Sequence, residues 1–168
     1  MTADNELHHL LIMEALGGSV EWKDRWFAQH SAMAYYWACV ILYLLHPRGG
    51  YHVMALIEDH AYHTYEKYVK CNEEWLRTQP APAIAKKYYE SQDMYLFDSF
   101  HTTNPPHTPR RPSINSLFDT FVCIRDDEQQ HASTMESLVS HGRLSPPNQH
   151  PTEPPPEILV QKSVKSFH

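Results

Sequence analysis

The sequence predicts an all-α helical bundle, on three observations. Asn115 to His141 contains neither Pro nor Gly and reads as one unbroken helix. The five glycines and thirteen prolines gather at a few places and leave long segments between them. In Arg125-Asp126-Asp127-Glu128-Gln129-Gln130-His131, Glu128 and His131 stand three apart, about 60° in helical projection, so both point to one side. Glu6-Leu7-His8-His9 repeats that spacing near the other end. A carboxylate and an imidazole converging in this way form half of a metal site, most naturally for iron in a bundle. Twelve Glu and thirteen His give about one such pair by chance, so the pairs need support from the rest of the chain.

Asp4 or Asn5 is placed to cap a first helix running to about Leu16, which Gly17-Gly18 stops. Leu7, Leu10, Leu11, Ile12, Met13, Ala15 and Leu16 crowd it, which suits a buried bundle helix. Among them Glu6 and His9 need partners, because burying an unpaired polar group costs roughly several kcal/mol. Metal ligation provides partners; mutual hydrogen bonding near an exposed helix end is the alternative.

Ser19 to Leu45 reads as the second helix, ended by His46-Pro47-Arg48-Gly49-Gly50. Between Arg25 and Arg48 no Lys, Arg, Asp or Glu occurs. Gln29, His30 and Ser31 shorten the strictly apolar part below a membrane span. Trp22, Trp26, Trp37, Tyr35, Tyr36 and Tyr43 favour a bilayer–water boundary. A helix over about 22–45 lying in one leaflet fits this pattern better than a spanning one, and a buried helix of a soluble bundle is the alternative.

The third helix runs from about Tyr51 to Leu76 and carries Glu58 with Tyr62 and Tyr65 on one face. Carboxylate-bundle proteins need such lone-Glu helices beside their two Glu-x-x-His helices; a surface acid beside two core tyrosines is the plainer alternative. A shorter helix follows Gln79-Pro80-Ala81-Pro82, from Ala83 to about Phe100. His101 to Pro112 is a Pro-rich loop, and the fifth helix follows. Residues 1–142 make one helical domain; 143–168 is a Pro-rich tail with a short final helix over Glu157 to His168.

A net charge of −6 and a pI near 6.1 argue against nucleic acid as a partner. Cys39, Cys71 and Cys123 are widely spaced and odd in number, so they read as small core residues rather than disulfides or a zinc ribbon. The few residues before Asp4 read as neither a secretory nor a transit peptide, so the expectation is a fold that starts at once.

Three stretches resemble the signatures of the alternative oxidases: Asn5-Glu6-Leu7-His8-His9-Leu10, Leu56-Ile57-Glu58-Asp59-His60-Ala61 with Thr64-Tyr65, and Arg125 to His131. The likeness is collinear over nearly the whole chain. Ala28-Gln29-His30, Tyr35-Tyr36-Trp37 and Asp93 to Asp98 agree with it. Ile57 to Ala61, the insert ending Arg110-Arg111-Pro112 and the tail are most similar to the plastid terminal oxidase branch.

The resemblance implies a ferritin-like di-iron carboxylate bundle that oxidises a quinol, plastoquinol or ubiquinol, and reduces O2 to water. It implies Glu6, His9, Glu58, Glu128 and His131 as iron ligands for two iron ions. Tyr65 corresponds to a redox-active tyrosine, Asn5 and Asp127 to polar neighbours that orient the ligands, and Ala61 and Thr64 to quinol-pocket positions. It further implies attachment to a membrane surface, most naturally the plastid thylakoid, with the mitochondrial inner membrane as the alternative, and a homodimer. The family takes a fourth carboxylate from a helix upstream of Asn5. The chain begins five residues before Glu6, so the expected bundle is N-terminally truncated and misses the upstream helix or helices. Glu14, about 80° round the helix from Glu6, is badly placed to substitute. A fragment of a complete oxidase, a non-catalytic paralogue that keeps the fold and membrane association, and a soluble iron protein such as a ferroxidase all stay open.

Overall fold

The computed structural model describes residues 2–90 and 112–141, and among these it holds five helices and no strand. They are α1 (Thr2–Ala15), α2 (Trp22–Leu45), α3 (Pro47–Thr78), α4 (Ala83–Glu90) and α5 (Leu117–His141). The expected all-α architecture is observed. Much of the fourth helix, the Pro-rich loop, the Asp93 to Asp98 stretch and the tail with its final helix lie outside the described residues.

Each boundary has a local cause. α1 already begins at Thr2, so neither Asp4 nor Asn5 caps it; Asn5 is wholly buried inside the helix. At its other end Gly17 adopts φ 94°, the left-handed conformation that glycine takes without a Cβ penalty. Gly18 N–H then reaches Met13 O and Gly17 N–H reaches Glu14 O, each at 2.9 Å, satisfying two carbonyls left over by the helix.

α2 ends at Leu45, as the sequence suggests, but α3 begins within His46-Pro47-Arg48-Gly49-Gly50 rather than at Tyr51. Only His46 separates α2 from α3, and Pro47 occupies the first turn of α3, where its missing N–H costs nothing. His46 Nδ1 caps that turn by accepting from Gly49 N–H at 2.8 Å. Gly50 is buried against α2: a Cβ there would lie 3.3 Å from Tyr43 Cα. α5 is started by Ser116 and Asp119. The Asp119 carboxylate accepts from Ser116 N–H at 2.9 Å while Ser116 Oγ accepts from Asp119 N–H, a reciprocal cap.

α3 and α5 pack antiparallel along their lengths. Glu58 lies beside His131, Tyr65 and Tyr68 against Phe121, and Arg77 sits 3.7 Å above the Phe118 ring. α1 and α4 close the other side of α5, and the shared core includes Ile12, Val69, Leu76, Tyr89, Phe121 and Ile124. α2 packs on α3 alone among the described helices and buries none of its residues. The alternative of a buried second helix is therefore not what forms.

Two further expectations change. Cys123 is buried, but Cys71 is exposed and Cys39 only half-buried, because α3 turns Cys71 to solvent and α2 has no second neighbour. α1 is not a uniformly buried apolar helix. Its buried positions are Asn5, His9 and Ile12, whereas Leu7 and Leu10 are about half exposed. The helix turns its polar side inward.

Candidate metal centre

That inversion places α1's polar residues against α5. Glu6 and His9, one turn apart on α1, meet Glu128 and His131, one turn apart on α5, and Glu58 reaches in from α3. One donor atom from each of Glu6, Glu58, Glu128 and His131 falls within 4.8 Å of the others. His9 joins through Nδ1, 3.2 Å from Glu128 Oε1.

The two outer carboxylates each span both histidines. Glu6 presents Oε1 to His131 Nδ1 at 2.9 Å and Oε2 to His9 Nδ1 at 3.7 Å. Glu128 presents Oε1 to His9 Nδ1 and, at 3.7 Å, Oε2 to His131 Nδ1. The imidazole centroids are 6.2 Å apart. Two bridging carboxylates between two imidazoles suit a pair of hard, imidazole-tolerant cations such as iron.

The donor atoms fit such ions for a second reason. His9 Nδ1 and His131 Nδ1 are buried and lack any hydrogen bond of acceptable geometry, although carboxylate oxygens lie close by. Buried imidazole nitrogens are rarely left so. These nitrogens and the carboxylate oxygens crowd into one small space, as ligands do.

The electrostatics carry the same signature. Burial would raise the Glu128 carboxyl, but His131 and His9 beside it bring it down to about 2. Glu6 is also burdened by burial, yet the same two histidines hold it below the usual carboxylate range. Burial opposes a charge on His131, but Glu128, Glu58 and Glu6 push it up to about 11. His9 is raised well above its ordinary value by Asp127, Glu128 and Glu6 against the same burial. Glu58 goes the other way: burial and the nearby Glu128 raise it. In the metal-free cluster protons do what cations would do.

The two halves are unequal. His131 faces three carboxylates, Glu6, Glu58 and Glu128, whereas on the Nδ1 side of His9 only Glu6 and Glu128 lie within ion-pair distance among the described residues. Glu14 is exposed and takes no part. The carboxylates also differ in cover: Glu128 is buried, while the Glu6 side chain keeps 45% of its surface exposed.

Asn5 and Asp127 are fully or nearly fully buried and bonded to each other at 3.0 Å, and Asp127 holds His9 Nε2 at 3.0 Å. Tyr65 is half-buried on the same face of α3 as Glu58. Burial, with Glu128 and Glu6 nearby, pushes its hydroxyl up to about 12, so it keeps its proton at neutral pH. Ala61 is half-buried, and Thr64 is exposed with its hydroxyl donating to His60 O at 2.8 Å. Tyr62 packs edge-on against His63.

Sequence reasoning missed Tyr88 and Tyr89 of α4. Both are buried; Tyr89 OH donates to Asp127 at 2.8 Å and Tyr88 OH accepts from Asn5 at 2.6 Å. No spacing announces them, and the pairing of Tyr88-Tyr89 ahead of the insert was the sole available hint.

A family model described as alternative oxidase matches residues 1–140. The chain is 52% identical over 144 residues to ubiquinol oxidase 4, chloroplastic/chromoplastic, of Arabidopsis thaliana, covering 86% of this chain and 41% of that protein. It is 28% identical over 134 residues to ubiquinol oxidase 2, mitochondrial, of Glycine max, covering 77% of this chain and 33% of the relative. The chain thus spans less than half the length of these curated relatives. No solved structure gives a significant match. With the match running from the first helix to the last, and far stronger to the plastid relative than to the mitochondrial one, the chain belongs to the alternative oxidase family, on the side of its plastid branch.

Proposed function

We propose that the cluster of α1, α3 and α5 is a di-iron centre at which a quinol is oxidised and O2 reduced to water. The observation that carries this reading is the pair of buried, unbonded histidine Nδ1 atoms straddled by Glu6 and Glu128. Glu6, His9, Glu58, Glu128 and His131 would hold two iron ions, whose chemistry is to store electrons from quinol and pass them to oxygen. The protein supplies the rest. Oxygen donors suit iron in both common oxidation states, and buried Glu128 and His131 keep water from the reacting atoms. Tyr65, two turns beyond Glu58 and keeping its proton at neutral pH, would give an electron and a proton together. Asn5 and Asp127 orient His9. Ala61 and Thr64, one and two turns beyond Glu58, line the approach of the quinol ring.

The exposed face of α2 supports a membrane-surface location. Trp22, Trp26, Phe27, Trp37, Leu44 and Leu45 are all more than half exposed, and no described helix is long and apolar enough to cross a membrane. An apolar, aromatic helix lying in the interface places the protein where a lipid-soluble quinol resides. The plastid relative, a ubiquinol oxidase by name, favours a plastid membrane, with plastoquinol or ubiquinol as the substrate. A homodimer belongs to the same reading.

A second reading rests on the unequal halves: a family member that keeps the fold and the lipid contact without catalysis. Iron analysis separates the two. Anaerobic loading with ferrous iron followed by oxygen uptake with a short-chain plastoquinol tests the oxidase. Stoichiometric iron and cyanide-insensitive uptake, both lost in Glu128→Ala, support it. A chain that takes up no iron overturns it.

A further inference from the structure

We propose that Tyr89 is a positioning residue for the His9 half of the centre, acting through Asp127. The inference rests on the metal reading above and concerns α4, which supplies no ligand. Tyr89 is completely buried, and its hydroxyl donates to Asp127 Oδ2 at 2.8 Å. The same oxygen accepts from Asn5 Nδ2 at 3.0 Å and faces His9 Nε2 at 3.0 Å. Groups from α1 and α4 thus converge on one carboxylate oxygen of α5.

The consequence for His9 is geometric. With Asp127 engaging Nε2, the ring turns Nδ1 toward Glu6 and Glu128, where a metal can displace its proton. A carboxylate held by one contact can rotate about its own side chain; Tyr89 and Asn5 remove that freedom. Outer partners of this kind fix tautomer and ring orientation in metal-binding histidines. His131 is held differently: among the described residues no group bonds its Nε2, and it faces the additional carboxylate Glu58 instead. The two metal positions are therefore built on different principles, and loss of the Tyr89 hydroxyl loosens one of them.

Cobalt(II) is the probe, followed by its visible absorption, with circular dichroism recording the fold. Tyr89→Phe is expected to weaken one of two bound ions by roughly ten- to a hundred-fold, leaving the other unchanged. Nitrogen-15 NMR of the zinc-loaded protein should show the His9 Nε2–H resonance shifting as Asp127 loosens, a readout that a merely structural tyrosine would not move. If Tyr89→Phe fails to fold, Asn5→Ser removes another donor to the same oxygen and should weaken the same ion. Unchanged affinities with an unchanged His9 Nε2–H resonance overturn the proposal, as does equal weakening of both ions. A wild-type chain that binds no cobalt sinks the metal reading itself, and is distinguishable from either result.

Discussion

α2 and α5 are of almost equal length, 24 and 25 residues, and they violate the usual relation between polarity and burial in opposite directions. α2 has no charged residue between Arg25 and its end, yet buries nothing. α5 carries Asp127, Glu128, Gln130 and His131 and buries all four. Apolar surface in water and charge out of water are both unfavourable, by about 25 cal/mol per Å² in the first case and several kcal/mol per group in the second. Each cost calls for an offset, which the proposed function supplies as cations for α5 and a lipid surface for α2.

The sharpest way to break this contrast is Glu128→Ala. It removes the carboxylate that spans both histidines, and we expect complete loss of stoichiometric iron by metal analysis. Retained iron would show that α5's buried charges serve some other end. Next comes Ile124→Ala, on the apolar side of α5, which should destabilise the fold by about 2–5 kcal/mol in chemical denaturation through cavity formation. Removing an exposed apolar side chain from α2, as in Leu44→Ala, should change stability by less than about 0.5 kcal/mol.

The proton content of the cluster gives a third test. His131, near 11, and His9, raised well above its ordinary value, hold protons at neutral pH in the metal-free protein. Metal binding must displace these protons, so iron affinity falls as pH falls. Loading near pH 7 in weak buffer should acidify the solution by about one proton per histidine displaced, readable with an indicator dye. The smallest expected change in the folded protein is on α2: Leu44→Lys should leave the melting curve nearly unmoved while reducing sedimentation with phospholipid vesicles by about ten-fold or more. Unaltered sedimentation would remove the lipid explanation for its bare apolar face.

Much of this was legible in the sequence, for reasons that particular residues illustrate. The Gly- and Pro-free run before His141 and the i, i+3 spacing of Glu128 and His131 are local signals, and α5 obeys them. Glu58 became readable because its helix repeats a family signature around it. Pro47 was half read: it follows the end of α2 as expected, but it also suits the first turn of the next helix, so α3 starts there rather than at Tyr51. Asn5 misled as a cap because the group that claims its amide, Asp127, is 122 positions away. Tyr89 gave almost no signal: a tyrosine in a short helix is an ordinary core residue until its hydroxyl is seen to meet Asp127. Local periodicity reports which way a side chain faces, not what awaits it there.

The single residue between α2 and α3 has a mechanical consequence. With Gly50 seated on Tyr43 and His46 capping the following turn, the joint leaves little slack, so the orientation of α2 is inherited by α3. From Gly50 to Glu58 is eight residues, about 12 Å of helix. A sheet of lipid gripping α2 would then act as a jig, setting the height of the carboxylates above the bilayer. Lengthening this hinge by two or three glycines would leave every ligand in place and cut that registration.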